Sequence, residues 1–273
     1  MVCAKKMTPR AGEAPDRVLQ GAVSLPSMIV GFCGSGSMAA AMARGLAGQV
    51  DRMLFTDSGS GRARELAGEL GGEAVGSNTE LAERSDVVVL AVKPAKLGDV
   101  AGELASAKVV ISLLGGTSLE TVSAAFPDAV VVRVMPNVGV EVRKGVLCVS
   151  GEADSYVLGL LGTLGHVVKL PDAQFDAATA VMGCAPAYLA LAVEAIADAG
   201  TADGLDEGLA RELVVETAVG TAELLRLHHP ADVRKAVASP GGSTEAGLEA
   251  LDREGAREAF AAAVRASLER MRG

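Results

Sequence analysis

Runs of apolar residues alternate with amphipathic stretches through the first half of the chain. Residues 87–92 are continuously apolar and residues 109–114 are apolar except for Ser112, which is typical of strands buried on both faces of a sheet. The stretches between such runs carry apolar residues at helical spacing. This alternation predicts an α/β fold, a parallel sheet covered by helices on both faces. Two later β-rich runs, 145–150 and 165–170, are expected to extend the sheet.

The pattern changes near residue 172, after which apolar residues recur only at helical spacing. Pro186 lies inside the first of these helical stripes and predicts a kink or a break. Residues 188–193 are apolar on every face, which favours an interface with another subunit. The alternative is a central helix of a monomeric bundle. We therefore predict a first domain over 28–171 and a helical domain over 172–273.

Residues 1–27 precede the first apolar run. They are rich in charged residues and lack the apolar core of a signal peptide, so a disordered extension is predicted. The net charge of −9, with no basic cluster, argues against a nucleic-acid partner. Residues 176–194 form the longest weakly polar run, which we interpret as a buried helix and not as a membrane span. Four scattered cysteines indicate reduced thiols in a cytoplasmic protein and no metal site. They are Cys3, Cys33, Cys148 and Cys184.

The first apolar run leads into a glycine-rich turn. Its spacing from Gly34, G-x-G-x-x-A, is a form of the dinucleotide-binding fingerprint. Gly34 suits a tight turn, Gly36 lets a pyrophosphate approach the backbone, and Ala39 lets the helix pack on the strand. Asp57 ends the next strand, where a ribose-binding carboxylate belongs. The alternative is a structural strand-to-helix turn without a ligand.

Several motifs in order resemble the pyrroline-5-carboxylate reductase family, the enzymes of the last step of proline synthesis. The likeness covers nearly everything from residue 28 to residue 272. The S-P-G-G-S-T loop at 239–244 is its most specific part. The other motifs are the turn at 31–39, A-V-K-P at 91–94, I-S at 111–112 with G-G at 115–116, R-V-M-P-N at 133–137, P-A-Y at 186–188 and H-P at 229–230.

The resemblance implies an N-terminal Rossmann-type domain, a doubly wound parallel sheet, followed by a C-terminal all-α dimerisation domain. It implies reduction of the small molecule L-1-pyrroline-5-carboxylate to L-proline by NADPH or NADH. It also implies a homodimer formed through the helical domain, with a higher homo-oligomer left open. Neither a nucleic acid nor a membrane is expected as a partner.

The resemblance also assigns site residues by position. Thr244 is the residue expected to act most directly on the substrate carboxylate, and no metal ligand is expected. The alternative for this loop is a plain helix break with Ser243 as the N-cap. The cofactor residues are Gly34, Ser35, Gly36, Ser37 and Met38 at the pyrophosphate, Asn78, Ala91, Val92, Lys93 and Pro94 at the adenosine and ribose, and Leu114, Gly116 and Asn137 at the nicotinamide half. The substrate residues are Gly241, Gly242, Ser243 and Thr244.

The choice between NADH and NADPH depends on the end of the second strand. A free Asp57 carboxylate would accept hydrogen bonds from the ribose hydroxyls of NADH and repel a 2′-phosphate. Ser58, Ser60, Arg62 and Arg64 could instead hold that phosphate. From the sequence we expect NADH to be used at least as well as NADPH, with Asp57→Ser moving the preference toward NADPH.

Departures from the family pattern leave other functions open. Residues 182–185 read Met-Gly-Cys-Ala where the family has Ser-Gly-Ser, residues 138–139 read Val-Gly in place of Thr-Pro, and Ala236 replaces an asparagine. A related imine reductase or a nucleotide-binding regulatory paralogue remains possible. A β-hydroxyacid-type dehydrogenase is disfavoured because residues 174–200 contain no lysine. The three histidines receive no catalytic role.

Overall fold

The computed structural model describes residues 27–272, so all of the predicted extension except Ser27 lies outside the described residues. The chain divides into two compact units. The first, here the sheet unit, contains the described part of Asp16–Pro186 with Leu268–Gly273, and the second, here the helical unit, is Ala187–Ser267.

The sheet unit is built on one eight-stranded sheet of order β3-β2-β1-β4-β5-β6-β7-β8. The first six strands are mutually parallel, which confirms the predicted doubly wound α/β fold. The strands are β1 Ile29–Cys33, β2 Arg52–Thr56, β3 Glu73–Ala74, β4 Val87–Leu90, β5 Val109–Ser112, β6 Val130–Pro136, β7 Gly145–Ser150 and β8 Gly165–Lys169.

The last two strands extend the sheet as predicted, but they run in the opposite direction to the other six. β7 is antiparallel to β6, and β8 is parallel to β7. Only residues 137–144 connect β6 to β7. A parallel crossover needs about a dozen residues or more, so this short connection can only return the chain antiparallel.

The apolar strands are buried because helices cover both faces of the sheet. In β4, Val87 and Val89 belong to one hydrophobic core, whereas Val88 and Leu90 belong to the other. Successive side chains of a strand point to opposite faces, so a strand with two buried faces is apolar throughout. β4 and β5 each end two residues earlier than the apolar runs suggested, and the remaining residues enter loops at the edge of the sheet.

Twelve α-helices complete the described chain. α6 was not predicted, because its residues are apolar on nearly every side and contain two glycines. Asn78, predicted in a turn, is the first residue of α3, since the Ser77 side chain caps that helix. The helices are α1 Ser37–Leu46, α2 Arg62–Leu70, α3 Asn78–Arg84, α4 Leu97–Ala101, α5 Leu119–Ala125, α6 Ser155–Gly162, α7 Phe175–Ala178, α8 Ala185–Ala202, α9 Glu207–Leu227, α10 Pro230–Val237, α11 Ser243–Arg253 and α12 Ala256–Arg272.

The predicted break near Pro186 is confirmed. α7 continues into a π-helical turn, Thr179–Gly183, and α8 begins after Cys184. Pro186 is the second residue of α8, where the missing N–H removes no helical hydrogen bond. The irregular turn therefore precedes the proline, and α8 itself is an uninterrupted helix.

Large apolar side chains on α8 are not covered by the residues that the structure describes. Leu189 is 65% exposed, Leu191 63% and Ile196 60%, and among the α8 residues only Ala197 is buried. α8 is therefore not the central helix of a monomeric bundle. By length and composition the 31-residue run Asp172–Ala202 could cross a membrane, and α8 within it is not the buried helix that we expected. An apolar, uncovered helix equally suits an interface with a second subunit.

Candidate functional site

The predicted cofactor residues of the sheet unit gather at one edge of the sheet. Except for Asn78, at the start of α3, each group follows the carboxyl end of a parallel strand, β1, β2, β4, β5 or β6. The carboxyl ends of parallel strands share an edge, and that edge is where open α/β sheets bind ligands. The structure therefore brings these residues to one edge of the sheet. Their contact with a cofactor stays a prediction.

Gly34 forms the tight turn that the fingerprint requires. Its φ is 97°, and a Cβ here would lie 2.7 Å from the carbonyl oxygen of Ala91. The Gly34 N–H donates to the Thr56 carbonyl oxygen at 3.1 Å, and the Ser35 hydroxyl donates to the same oxygen at 3.0 Å. The turn after β1 is thus fixed against the ends of β2 and β4. Any side chain larger than hydrogen at Gly34 would displace it.

The next residues leave room for a phosphate. α1 begins at Ser37 with Gly36 as its N-cap, and no side chain caps the helix. No atom lies within 4 Å of the position that a Cβ on Gly36 would take. Ala39 is buried where α1 packs on the sheet. Open space in front of uncapped N–H groups, at the positive end of a helix, fits a dinucleotide pyrophosphate at Gly36, Ser37 and Met38.

Asn78 uses its side chain to connect elements of the sheet unit. Its Oδ1 accepts hydrogen bonds from Thr56 Oγ1 at 2.6 Å and from Cys33 Sγ at 3.4 Å, while its Nδ2 donates to Glu103 Oε2 at 2.7 Å. Burial raises the pKa of Cys33 to about 11, so that thiol is unreactive near neutral pH. Asn78 therefore holds β1 and β2 against α3. Its predicted contact with the adenosine would have to use the part of Asn78 that is still exposed.

Asp57 is likewise occupied by its own loop. Its Oδ1 accepts from the Gly59 N–H at 2.7 Å, and its Oδ2 accepts from Ser60 Oγ at 3.0 Å and from the Ala63 N–H at 2.8 Å. These hydrogen bonds, that from Ala63 first, hold the pKa of Asp57 below its usual range. Asp57 is thus an anion that organises the loop leading into α2. Neighbouring Ser58 is exposed.

The loops after β4 and β5 present mainly backbone atoms to a bound dinucleotide. Lys93 and Pro94 are exposed, and Ala91 and Val92 are half-buried. Leu114 is 1% exposed because its side chain belongs to a hydrophobic core. A nicotinamide can therefore approach this loop only along its exposed part, which includes Gly116.

The predicted substrate loop begins α11 in the helical unit. Gly242 is the N-cap, Ser243 is the first helical residue and Thr244 the second, so the alternative of Ser243 as N-cap does not hold. Glu245 Oε2 accepts from the Gly241 N–H at 2.6 Å and fixes the loop. Ser243 and Thr244 are exposed, and among the described residues their hydroxyls have no hydrogen-bond partner. The loop thus presents two free hydroxyls at a helix N-terminus.

The histidines take positions at turns and on the surface, as expected. His229 Nδ1 accepts from the Ala231 N–H at 3.2 Å and caps α10, and His166 is exposed. Neither makes a contact that suggests catalysis.

Comparisons with known proteins agree with this geometry. Residues 172–273 match the family model described as pyrroline-5-carboxylate reductase dimerisation, and residues 29–116 match the model described as NADP oxidoreductase, coenzyme F420-dependent. The chain is 34% identical to pyrroline-5-carboxylate reductase of Pisum sativum over 261 residues, 90% of this chain and 96% of that one. The chain belongs to the pyrroline-5-carboxylate reductase family. Its identity to the Synechocystis enzyme is 40% over 204 residues, 71% of this chain and 76% of that one.

Solved structures of the family share the fold. The pyrroline-5-carboxylate reductase of Streptococcus pyogenes superposes with a TM-score of 0.81 at 29% identity, covering 90% of this chain and 98% of that one. The Plasmodium falciparum pyrroline carboxylate reductase with NADP bound gives 0.79 at 27% identity, with the same coverage.

One part of the family motif at 133–137 has a structural role that the sequence did not reveal. Asn137 Nδ2 donates to the Met182 carbonyl oxygen in the π-helical turn, and Asn137 Oδ1 accepts from the Val146 N–H, both at 3.1 Å. Asn137, a residue of the family motif, therefore holds the segment 182–185, in which the sequence departs from the family pattern. Nearness of Asn137 to the nicotinamide stays a prediction.

No role was predicted for Arg133, which is buried in the middle of β6 at 5% exposure. Its Nη1 donates to Asp172 Oδ1 at 2.8 Å, and its guanidinium carbon lies 4.4 Å from the centre of the Phe175 ring. Asp172 Oδ2 also accepts from the Leu119 N–H at 3.2 Å. An arginine inside the otherwise apolar run V-V-V-R-V was the signal that could have identified this cluster.

Proposed function

We propose that the chain reduces L-1-pyrroline-5-carboxylate to L-proline with NADPH or NADH. The observation that carries the proposal is the loop at 239–244. Its Ser243 and Thr244 are the first two residues of α11, their hydroxyls are free, and the chain is a member of the family. Hydroxyls and free N–H groups at a helix N-terminus suit a carboxylate. The open glycine turn after β1 supports a dinucleotide on the sheet unit.

The residues of this chain hold and orient the reactants. When bound, the nicotinamide supplies the hydride that the imine carbon accepts. The N–H groups at Gly36 to Met38 hold the pyrophosphate, and the loops after β4, β5 and β6 position the rest of the dinucleotide. Thr244 donates its hydroxyl proton in a hydrogen bond to the substrate carboxylate. Such alignment of two reactants accelerates a reaction without requiring an acid or base of the chain at the imine.

The proposal includes assembly and location. α8, with its exposed Leu189, Leu191 and Ile196, lies within the residues that match the dimerisation model, which supports a homodimer through the helical domain. A higher homo-oligomer built from such dimers is an extension of the same proposal. We assign the apolar run to this interface and not to a membrane, and we place the protein in the cytoplasm. The scattered free cysteines, Cys33 and Cys148 among them, support that compartment.

Turnover with synthetic L-1-pyrroline-5-carboxylate tests the reaction. We expect oxidation of NADPH or NADH in step with proline formation, followed by absorbance and by chromatography of the product. A six-membered cyclic imine acid is the matched competitor substrate, because residues 182–185 lack the hydroxyls usual in the family. Faster reduction of the six-membered ring would assign the chain to a related imine reductase. Binding of the dinucleotide without any turnover would instead favour a regulatory paralogue.

Thr244→Ala is expected to raise the Michaelis constant for the imine acid about ten- to a hundredfold, while the dissociation constant of the dinucleotide changes little. The reason is the loss of one charge-assisted hydrogen bond to the carboxylate, worth about 1.5–3 kcal/mol. Steady-state kinetics and calorimetric titration measure the two quantities. Thr163→Ala is the matched control, since Thr163 Oγ1 bonds only to the Leu160 carbonyl oxygen at the end of α6, outside the residues that match the dimerisation model. An unchanged Michaelis constant in the Thr244 variant would show that the substrate site is assigned wrongly.

A further inference from the structure

The Asn137 side chain joins the carboxyl end of β6 to the segment that leads into α8. Its Nδ2 donates to the Met182 carbonyl oxygen and its Oδ1 accepts from the Val146 N–H, both at 3.1 Å. The Asn137 N–H also donates to the Val146 carbonyl oxygen at 3.1 Å. The amide is therefore held by β7 on one side and holds Met182 on the other. We call these two side-chain hydrogen bonds the Asn137 link.

The Met182 carbonyl needs a donor from outside its own segment because of Pro186. In a regular helix the carbonyl of residue i accepts from the N–H of residue i+4, which for Met182 is residue 186. Proline has no N–H, and in a regular helix its ring clashes with that same carbonyl. The turn before the proline is π-helical, and the Cys184 N–H donates to the Thr179 carbonyl oxygen at 3.2 Å. The amide of Asn137 supplies the donor that Pro186 lacks.

Two of the departures from the family pattern meet at the Asn137 link. Met182 belongs to the altered segment 182–185, and Gly139 stands where the family has proline. A Cβ on Gly139 would lie 3.2 Å from Asn137 Oδ1, closer than side-chain carbons normally come. Glycine at this position therefore leaves the amide the room that it needs. The sequence changes on both sides of the link thus concern one structural feature.

The Asn137 link lies at the edge of the sheet where the predicted cofactor residues gather. β6 ends at Pro136, and Asn137 is the first residue after it. Arg133, earlier in β6, binds Asp172 at the start of the segment that leads to α8, so β6 holds that segment at both of its ends. All of these residues belong to the sheet unit. Contacts within that unit therefore set where residues 182–185 lie relative to the cofactor edge.

We propose that Asn137 is a positioning residue for the reduction. Through its link it holds residues 182–185 where they orient the imine against the nicotinamide. This inference rests on the proposed imine reduction and adds a residue to it. Because the link serves orientation and not the affinity for the dinucleotide, its loss lowers kcat and leaves the dissociation constant of the dinucleotide unchanged. Misplacement of a reactant by about 1 Å costs about a hundredfold in rate.

Asn137→Ala tests the proposal in the full chain. We expect kcat with L-1-pyrroline-5-carboxylate to fall about ten- to a hundredfold, while calorimetry shows a Kd for NADPH within about twofold of wild type. Without any ligand, hydrogen exchange in peptides that cover Val146 and residues 179–187 should become about two- to tenfold faster, as expected for the loss of one hydrogen bond. Gln49→Ala is the matched control, because the Gln49 side-chain amide bonds, among the described residues, only to the carbonyl of neighbouring Gly48.

A double-mutant cycle with Pro186→Ala separates positioning from stability. An alanine at 186 restores an N–H that can pair with the Met182 carbonyl inside the helix. The loss of melting temperature caused by Asn137→Ala should therefore be smaller in the Pro186→Ala background than in wild type. The loss of kcat should stay as large, because the restored N–H does not fix the segment to β6. If Asn137→Ala does not fold, Asn137→Asp replaces it, since the carboxylate keeps the acceptor for the Val146 N–H and removes the donor to Met182.

Three outcomes overturn the proposal. The first is a kcat of the Asn137 variant within about twofold of wild type. The second is a Kd for NADPH that rises as much as kcat falls, which would place the amide in direct contact with the nucleotide. The third is a loss of kcat that shrinks together with the loss of melting temperature in the Pro186→Ala background.

A wild type without turnover would count against the proposed reaction and is distinguished from failure of the Asn137 link by hydrogen exchange. Faster exchange in Asn137→Ala but not in Gln49→Ala would then support the link, whereas exchange unchanged from wild type would overturn it.

Discussion

Ala192→Glu is expected to convert the homodimer into monomers. Ala192 lies between Leu189 and Ile196 on one face of α8, at the i−3 and i+4 positions, and these two neighbours are 65% and 60% exposed in the single chain. A partner subunit that covers this face would enclose the new carboxylate without a counter-charge. Burial of an unpaired charge costs several kcal/mol, which is enough to shift association beyond the micromolar range. Light scattering at micromolar concentration measures the change in mass directly.

Ala105→Glu is the matched control for this experiment. Ala105 is exposed in the sheet unit, outside the residues that match the dimerisation model, so the same substitution there should leave the mass of the dimer unchanged. Circular dichroism of both variants checks that the fold is intact. A wild type that is already monomeric, or a folded Ala192→Glu variant that remains a dimer, contradicts the assignment of α8 to the interface.

The sheet was predictable because double-sided burial leaves a clear pattern in the sequence. β4 is apolar at every position and β5 at every position but its last, Ser112, a pattern that a half-exposed strand would not show. The direction of β7 was not predictable in the same way, since an apolar run records burial and not the partner with which a strand pairs. α6 escaped prediction because its residues are apolar on nearly every side, so that no polar face reveals its period.

At the edge of the sheet where the predicted cofactor residues gather, prediction succeeded where the backbone conformation requires one residue type. Gly34 is required by its φ of 97° and by the close approach of Ala91, so the glycine spacing identified the turn. The uses of Asp57 and Asn78 were not predictable, because a polar residue at a strand end can bind a ligand or its own loop. The structure shows that both side chains are engaged within the protein. Only the three-dimensional arrangement of donors distinguishes these uses.

The ion pair between Arg133 and Asp172, which we expect to stabilise the fold, could not be predicted from the sequence either. Arg133 on β6 and Asp172 before α7 are far apart in sequence, and their pairing depends on where the chain returns to the sheet after β8. Arg133 Nε has no hydrogen-bond partner among the described residues, so the guanidinium depends on Asp172 and on the Phe175 ring. The cluster fixes the segment that leads to the π-helical turn. Its removal should therefore loosen that turn as well as lower stability.

Arg133→Ala is expected to lower the free energy of unfolding by about 3–5 kcal/mol, because the change leaves the partly buried Asp172 carboxylate without its partner. Urea unfolding followed by circular dichroism measures the loss. Lys96→Ala is the control: its ion pair with Asp99 is 65% exposed on both sides, so that variant should lose at most about 1 kcal/mol. Arg133→Met combined with Asp172→Asn should recover most of the stability, since the Met side chain can pack on Phe175 and no unpaired charge remains.

A loss near that of Lys96→Ala would show that Asp172 finds solvent or another donor. A double variant no more stable than Arg133→Ala would show that the ion pair itself, and not relief from an unpaired charge, holds the segment in place.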